Sequence, residues 1–146
     1  MKPISSAIIA LRQQYIEMYS LTHFSLINQG LCVEFAEEIV SNFQENDSCS
    51  NYIETSIEEW LDDGEWEHDK TLQWDVDLLK EYNIKLPASF TFETLQHVFF
   101  PYHVWIVETN SDTNEQLFYD AECSSGVSSF FDLPIFQRTL EKTDNH

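Results

Sequence analysis

Two periodicities divide the chain, and that division constrains the fold more than any other feature. Over residues 5–20, Ile8, Leu11, Tyr15, Met18 and Tyr19 recur at helical spacing, and Ser5 or Ser6 can cap the segment. From Cys32 to Phe43, the set Val33, Phe35, Ala36, Ile39, Val40 and Phe43 repeats at i, i+3, i+4 and i+7. Glu34, Glu37 and Glu38 fill the gaps, so this second helix has one face to bury. "THFSLINQG" between them reads as a connector, and Gly30 frees the backbone just before Cys32. Later the period changes to two. "HVFFPYHVWIVETN" and "EQLFYDAEC" are rich in β-branched and aromatic residues, and "TNSDTN" between them is turn chemistry. Helices followed by an antiparallel hairpin predict an α+β domain, with the Cys32 helix packed on a small antiparallel sheet.

The stretch from about 45 to 85 stands apart. Between Glu45 and Glu81 lie 13 of the 26 acids, with only Lys70 and Lys80 to balance them. Trp60, Trp66 and Trp74 fall in the same stretch. Aromatics at that density anchor a fold, so the segment is expected to be an acidic helical insertion. Leu72, Val76, Leu79 and Tyr82 would form the apolar stripe of one of its helices. "GVSSFFDLPIFQRTL" reads as a capping loop and a short helix, and residues 141–146 as a frayed tail. No internal repeat or boundary divides 1–146, which is expected to be a single domain.

Seven Lys and Arg against 26 Asp and Glu leave a net charge of −19. Such a surface repels phosphates, so neither direct nucleic-acid binding nor attachment to anionic membranes is expected. A basic partner is. The three cysteines, Cys32, Cys49 and Cys123, form no C-x-x-C pair and fit neither a disulfide framework nor a zinc ribbon. "MKPISSAIIALRQQYIEMYS" lacks a secretory pattern, and no apolar run is long enough to span a bilayer. A cytoplasmic location is therefore expected. His68 in "EWEHDK" has carboxylates beside it that could bind a metal, but such acid–histidine clusters are common on a charged surface, and His97 with His103 lacks the i, i+4 spacing of a zinc pair. No metal and no cofactor is expected.

The chemistry-bearing residues lie at the start of the second helix and on the hairpin. His103, Trp105 and Val107 share one face of the first strand, and Phe118, Asp120 and Glu122 share one face of the second. If the turn centres between Ser111 and Asp112, Asp120 lies opposite His103; one residue further along, Glu122 does. Either register brings a carboxylate to the ring. A thiol at a helix start and an acid-oriented imidazole are the parts of a cysteine nucleophile. Each residue also has a plain alternative. Cys32 alone is a small residue of a commonly buried type, His103 a core histidine, Asp120 an acid near a turn, and Trp105 a packing residue. The oxyanion donors would be the Cys32 backbone N–H and a second group such as Gln29.

"GLCVEFA", "HVWIVE" and "FYDAE" together resemble the transglutaminase-like and papain-like cysteine enzymes. That resemblance implies Cys32 as nucleophile, His103 as base and Asp120 as the orienting acid. It also implies an acyl-transfer or hydrolytic reaction on an amide, isopeptide or ester, with a protein or peptide substrate. Cys32 and His103 are 71 positions apart, which is long for a small transglutaminase-like core, so the acidic insertion would be a recognition element or lid. A second class of function fits the charge alone: a non-catalytic acidic protein that blocks a basic, nucleic-acid-handling surface, on a degenerate enzyme fold or another.

Overall fold

The computed structural model describes residues 2–43, 50–56, 71–73, 99–101 and 103–144. Helix α1 spans Pro3–Tyr19, a 3₁₀ helix follows over Phe24–Gln29, and α2 spans Cys32–Phe43. Strands are β1 (Ser50–Thr55), β2 (Thr71–Gln73), β3 (Phe99–Pro101), β4 (Trp105–Asn110) and β5 (Gln116–Tyr119). A second 3₁₀ turn, Phe130–Asp132, leads into α3 (Pro134–Asp144). The architecture is α+β, as the two periodicities predict.

Several boundaries differ from the sequence expectation. Helix α1 begins at Pro3, with Lys2 as its N-cap, and not at a serine cap. Proline has a preset φ and no N–H to leave unpaired, which suits the first helical position. Ser5 is buried inside the helix instead. The expected connector contains the 3₁₀ helix. His23 caps it, its Nδ1 accepting from Ser25 N–H at 3.1 Å. Gly30 has φ +150° and a Cβ there would meet nothing, so conformation and not space calls for glycine.

The acidic stretch is not wholly helical. Residues 50–55 form β1, and Leu72, assigned to a helical stripe, lies in β2. Val76, Leu79, Tyr82 and the three tryptophans of the stretch lie outside the described residues, as does Cys49. At the C-terminus α3 continues through Asp144, four residues into the expected frayed tail.

The main sheet has order β1-β4-β5, all antiparallel, and β2 pairs with β3 in a separate two-stranded sheet. In β4–β5, Ile106 faces Tyr119 and Val107 faces Phe118, so the turn centres between Asp112 and Thr113. Asn110 organises that turn. Its side-chain oxygen accepts from Asp112 and Thr113 N–H, and its own N–H donates to Glu115 O.

The sheet is covered on both faces. Ile8, Leu11, Phe35, Ile39, Ile106 and Tyr119 are members of the core between α1, α2 and one face. On the other face Trp105 stacks on Phe130 with centroids 5.3 Å apart and meets Phe136 edge-on. One buried carboxylate sits within the first layer. Glu108 accepts from Tyr119 Oη at 2.7 Å, Tyr52 Oη at 2.9 Å and Lys2 Nζ at 3.0 Å. Burial pushes its pKa up, but bonding to Tyr119, Lys2 and Tyr52 outweighs that and holds it below the ordinary carboxylate value.

Tyr119 is thereby fixed, and Gly126 approaches it. A Cβ at Gly126, where φ is +83°, would lie 2.8 Å from the Tyr119 ring. The phenol is pinned to Glu108 and fully buried, so it cannot swing away. Gly126→Ala is expected to destabilise the fold by about 1–3 kcal/mol, read from the shift in a urea unfolding curve.

Candidate active site

Cys32 is the first residue of α2. The carbonyl of Ile27 accepts from Leu31 N–H, and that of Leu31 accepts from Phe35 N–H, so the 3₁₀ helix runs almost directly into α2. This continuity fixes where the thiol emerges. Gln29 is exposed three residues earlier, with no side-chain hydrogen bond among the described residues.

His103 lies two residues before β4 starts, and Asp120 one residue after β5 ends. They meet: His103 Nε2 donates to Asp120 Oδ2 at 2.9 Å. Only 3% of His103 and 2% of Asp120 are exposed. The observed register would place Glu122 opposite His103, yet Asp120 makes the contact. The reason is local. The ladder stops at Tyr119, and Asp120 closes a tight turn by exchanging backbone hydrogen bonds with Cys123. Asp120 Oδ1 accepts the N–H groups of Glu122 and Cys123, each at 2.9 Å, which leaves Oδ2 for the ring. Asp120 therefore reaches His103 along the diagonal of the hairpin.

Glu122 turns elsewhere. Its carboxylate takes both arms of the Arg138 guanidinium at 2.6 and 2.7 Å and the Asn28 amide at 3.1 Å. Trp105 is 1% exposed and packs beside His103, with ring centroids 6.2 Å apart. Phe136 meets the ring edge-on at 5.8 Å and packs against Trp105 as well.

With Nε2 held by Asp120, Nδ1 is the nitrogen left to the Cys32 thiol. Nδ1 makes no hydrogen bond of regular geometry among the described residues. The two groups are nevertheless close enough to set each other's ionisation. Burial pushes the thiol up, but His103 beside it, with the backbone N–H groups of Val104 and Val33, more than offsets this and lowers its pKa. Burial likewise pushes His103 down, while Asp120 and then Cys32 raise it to about 9. Both directions favour the same form of the pair, thiolate beside imidazolium, over the neutral one. Cys123 differs. Burial and the Asp120 charge push that thiol up to about 11. Cys32 is 6% exposed, so the pair is shielded.

Two further buried polar atoms have no partner among the described residues: Trp105 Nε1 beside the ring, and Asn28 Oδ1 four residues before Cys32. No group of three metal-binding side chains occurs among the described residues. No helix among them is long and apolar enough to cross a membrane. Comparison of the chain with family models, curated proteins and solved structures found no match.

The protonated His103 ring stabilises the fold in a pH-dependent way. Its contribution to stability is complete below about 6.5, the ordinary histidine value, and is lost as pH rises through about 9. Asp120→Asn removes the charge that holds the imidazolium, and breaking a buried pair costs about 3–5 kcal/mol. The stability gap between wild type and Asp120→Asn should therefore be widest near pH ~6 and narrow toward pH ~10. Urea unfolding at both pH values measures it; a constant gap would rule out a buried imidazolium.

Proposed function

We propose that this chain is a cysteine-dependent acyl-transfer enzyme or hydrolase, acting on an amide, isopeptide or ester bond. The observation that carries the reading is the buried line from Asp120 through His103 to Cys32. The Cys32 thiolate would attack the substrate carbonyl carbon, forming a carbon–sulfur bond as the carbonyl electrons move to oxygen. Collapse would expel the amine or alcohol, and His103 would give that group its proton. Water, or an acceptor amine, would then attack the thioester while His103 takes a proton back, and the thiolate would leave. Asp120 would hold the ring through both steps and stabilise its charge.

The backbone N–H of Cys32 is a fitting oxyanion donor, and the exposed Gln29 amide is the candidate for the second. The resemblance to papain-like and transglutaminase-like enzymes agrees with this assignment of roles. A basic protein or peptide substrate follows from the charge. The side chains of Lys2, Arg12 and Arg138 are engaged within the fold, with Glu108, Phe24 and Glu122. Glu34, Glu37 and Glu38 meanwhile line the exposed side of α2. The same acidic surface favours a second reading, a blocker of basic surfaces. That function would survive Cys32→Ser unchanged.

The test is acylation of Cys32 by an activated ester, followed by mass spectrometry. Wild type should form a thioester at Cys32. Cys32→Ser should form none, and His103→Ala should react about 10²–10⁴-fold more slowly. Equal modification of Cys32 and Cys123, unaffected by His103→Ala, would remove the enzyme reading.

A further inference from the structure

The mechanism above uses Asp120 but leaves Glu122 without a role, although Glu122 is a buried carboxylate with its side chain only 8% exposed. Its partners come from two separate elements. Arg138 projects from α3, and Asn28 from the 3₁₀ helix that leads into Cys32. A second side chain makes a parallel link. Arg12 of α1 stacks over Phe24, the first residue of that 3₁₀ helix, at 4.0 Å, and donates to Ala121 O at 3.2 Å. The 3₁₀ helix is thus tied to the turn 120–123 through both of its ends. That turn carries Asp120, and the 3₁₀ helix sets the position of Cys32.

We infer that Glu122 is a positioning residue that locks the Asp120 turn against the segment delivering Cys32, so that acid, ring and thiol stay in register. The role rests on the catalytic reading of Cys32. Three features favour it over a plain surface ion pair. The Arg138 contact is bidentate, which fixes angle as well as distance. The Asn28 amide is 3% exposed, and its other polar atom, Oδ1, makes no hydrogen bond among the described residues, so its Nδ2 bond to Glu122 is the side chain's one anchor there. Glu122 is two residues from Asp120, whose Oδ1 accepts the Glu122 N–H, so a shift of Glu122 moves the acid directly. Without the brace, the His103–Cys32 approach would loosen, and proton sharing falls off steeply with distance.

The test is the pH profile of Cys32 alkylation by iodoacetamide, read by mass spectrometry, alongside the melting temperature. Because Cys32 is shielded, its absolute rate reports access, while the pH of half-maximal rate reports the thiolate. Glu122→Gln keeps the shape but loses the charge that holds Arg138. Asn28→Asp leaves the Arg138 pair intact and sets two carboxylates against each other, cutting only the link to the Cys32 segment. In each variant the half-maximal pH for Cys32 should rise by about one unit, an approximately tenfold slower reaction on the acid side, while Cys123 is unchanged. A folded variant of either kind with a lowered melting temperature and a wild-type Cys32 profile would reduce Glu122 to a structural brace and overturn the inference. If Glu122→Gln does not fold, Asn28→Asp decides alone. Failure of the parent reading looks different: wild-type Cys32 would itself show no acid-shifted profile.

Discussion

The contact between His103 Nε2 and Asp120 Oδ2 takes two ionisable groups out of water together. Burial alone would discharge the ring, and the neighbouring carboxylate prevents it. Everything chemical at the site follows from that balance. A ring that keeps its proton can hold a thiolate beside it, and a ring pinned at one nitrogen presents the other in a fixed direction. A pair of this kind is weak evidence for stability, because hydrophobic residues of similar size can serve a core as well. The proposed chemistry rests on its place beside a thiol at a helix start.

The fold supplies the rigidity that the pair requires. The aromatic layer of Trp105, Phe130 and Phe136 packs against one side of the sheet and reaches the His103 ring. On the other side Glu108 ties β4 to β1 through Tyr52 and to β5 through Tyr119. Gly126 lets the chain pass close over the Tyr119 ring. The strand ends carrying His103 and Asp120 are therefore held from both faces. Within that closure Cys32 is only 6% exposed. Perturbed ionisation in such a shielded place is common to catalytic groups and to structural ion-pair networks, so the chemistry must be read from Cys32 itself.

The helical periods of α1 and α2 were legible because each buries one continuous face, and β4 and β5 because β-branched and aromatic residues fill them. Cys32 at a helix start and a carboxylate near His103 were legible from those patterns. Which carboxylate was not. Strand alternation assigns faces but not where a ladder stops, and the turn at Asp120 to Cys123 forms through backbone pairing that has no sequence period. Strand β1 was hidden by its composition. "SNYIET" is polar at most positions and takes its shape from pairing with β4, far away in the chain. The role of Glu122 was hidden too, since Asn28 and Arg138 lie 94 and 16 residues from it. Long-range side-chain pairs leave no local pattern to read.

Direct coupling between the thiol and the ring is measured by the titration of His103. Nitrogen-15 NMR of the ring in wild type and in Cys32→Ser compares the same imidazole with and without a thiolate neighbour. The account predicts an imidazolium that persists well above the ordinary histidine range in wild type, and a lower pKa in Cys32→Ser, where Asp120 alone supports the charge. Identical titration curves in the two proteins would contradict it, leaving His103 and Asp120 as a buried pair with no chemical tie to Cys32.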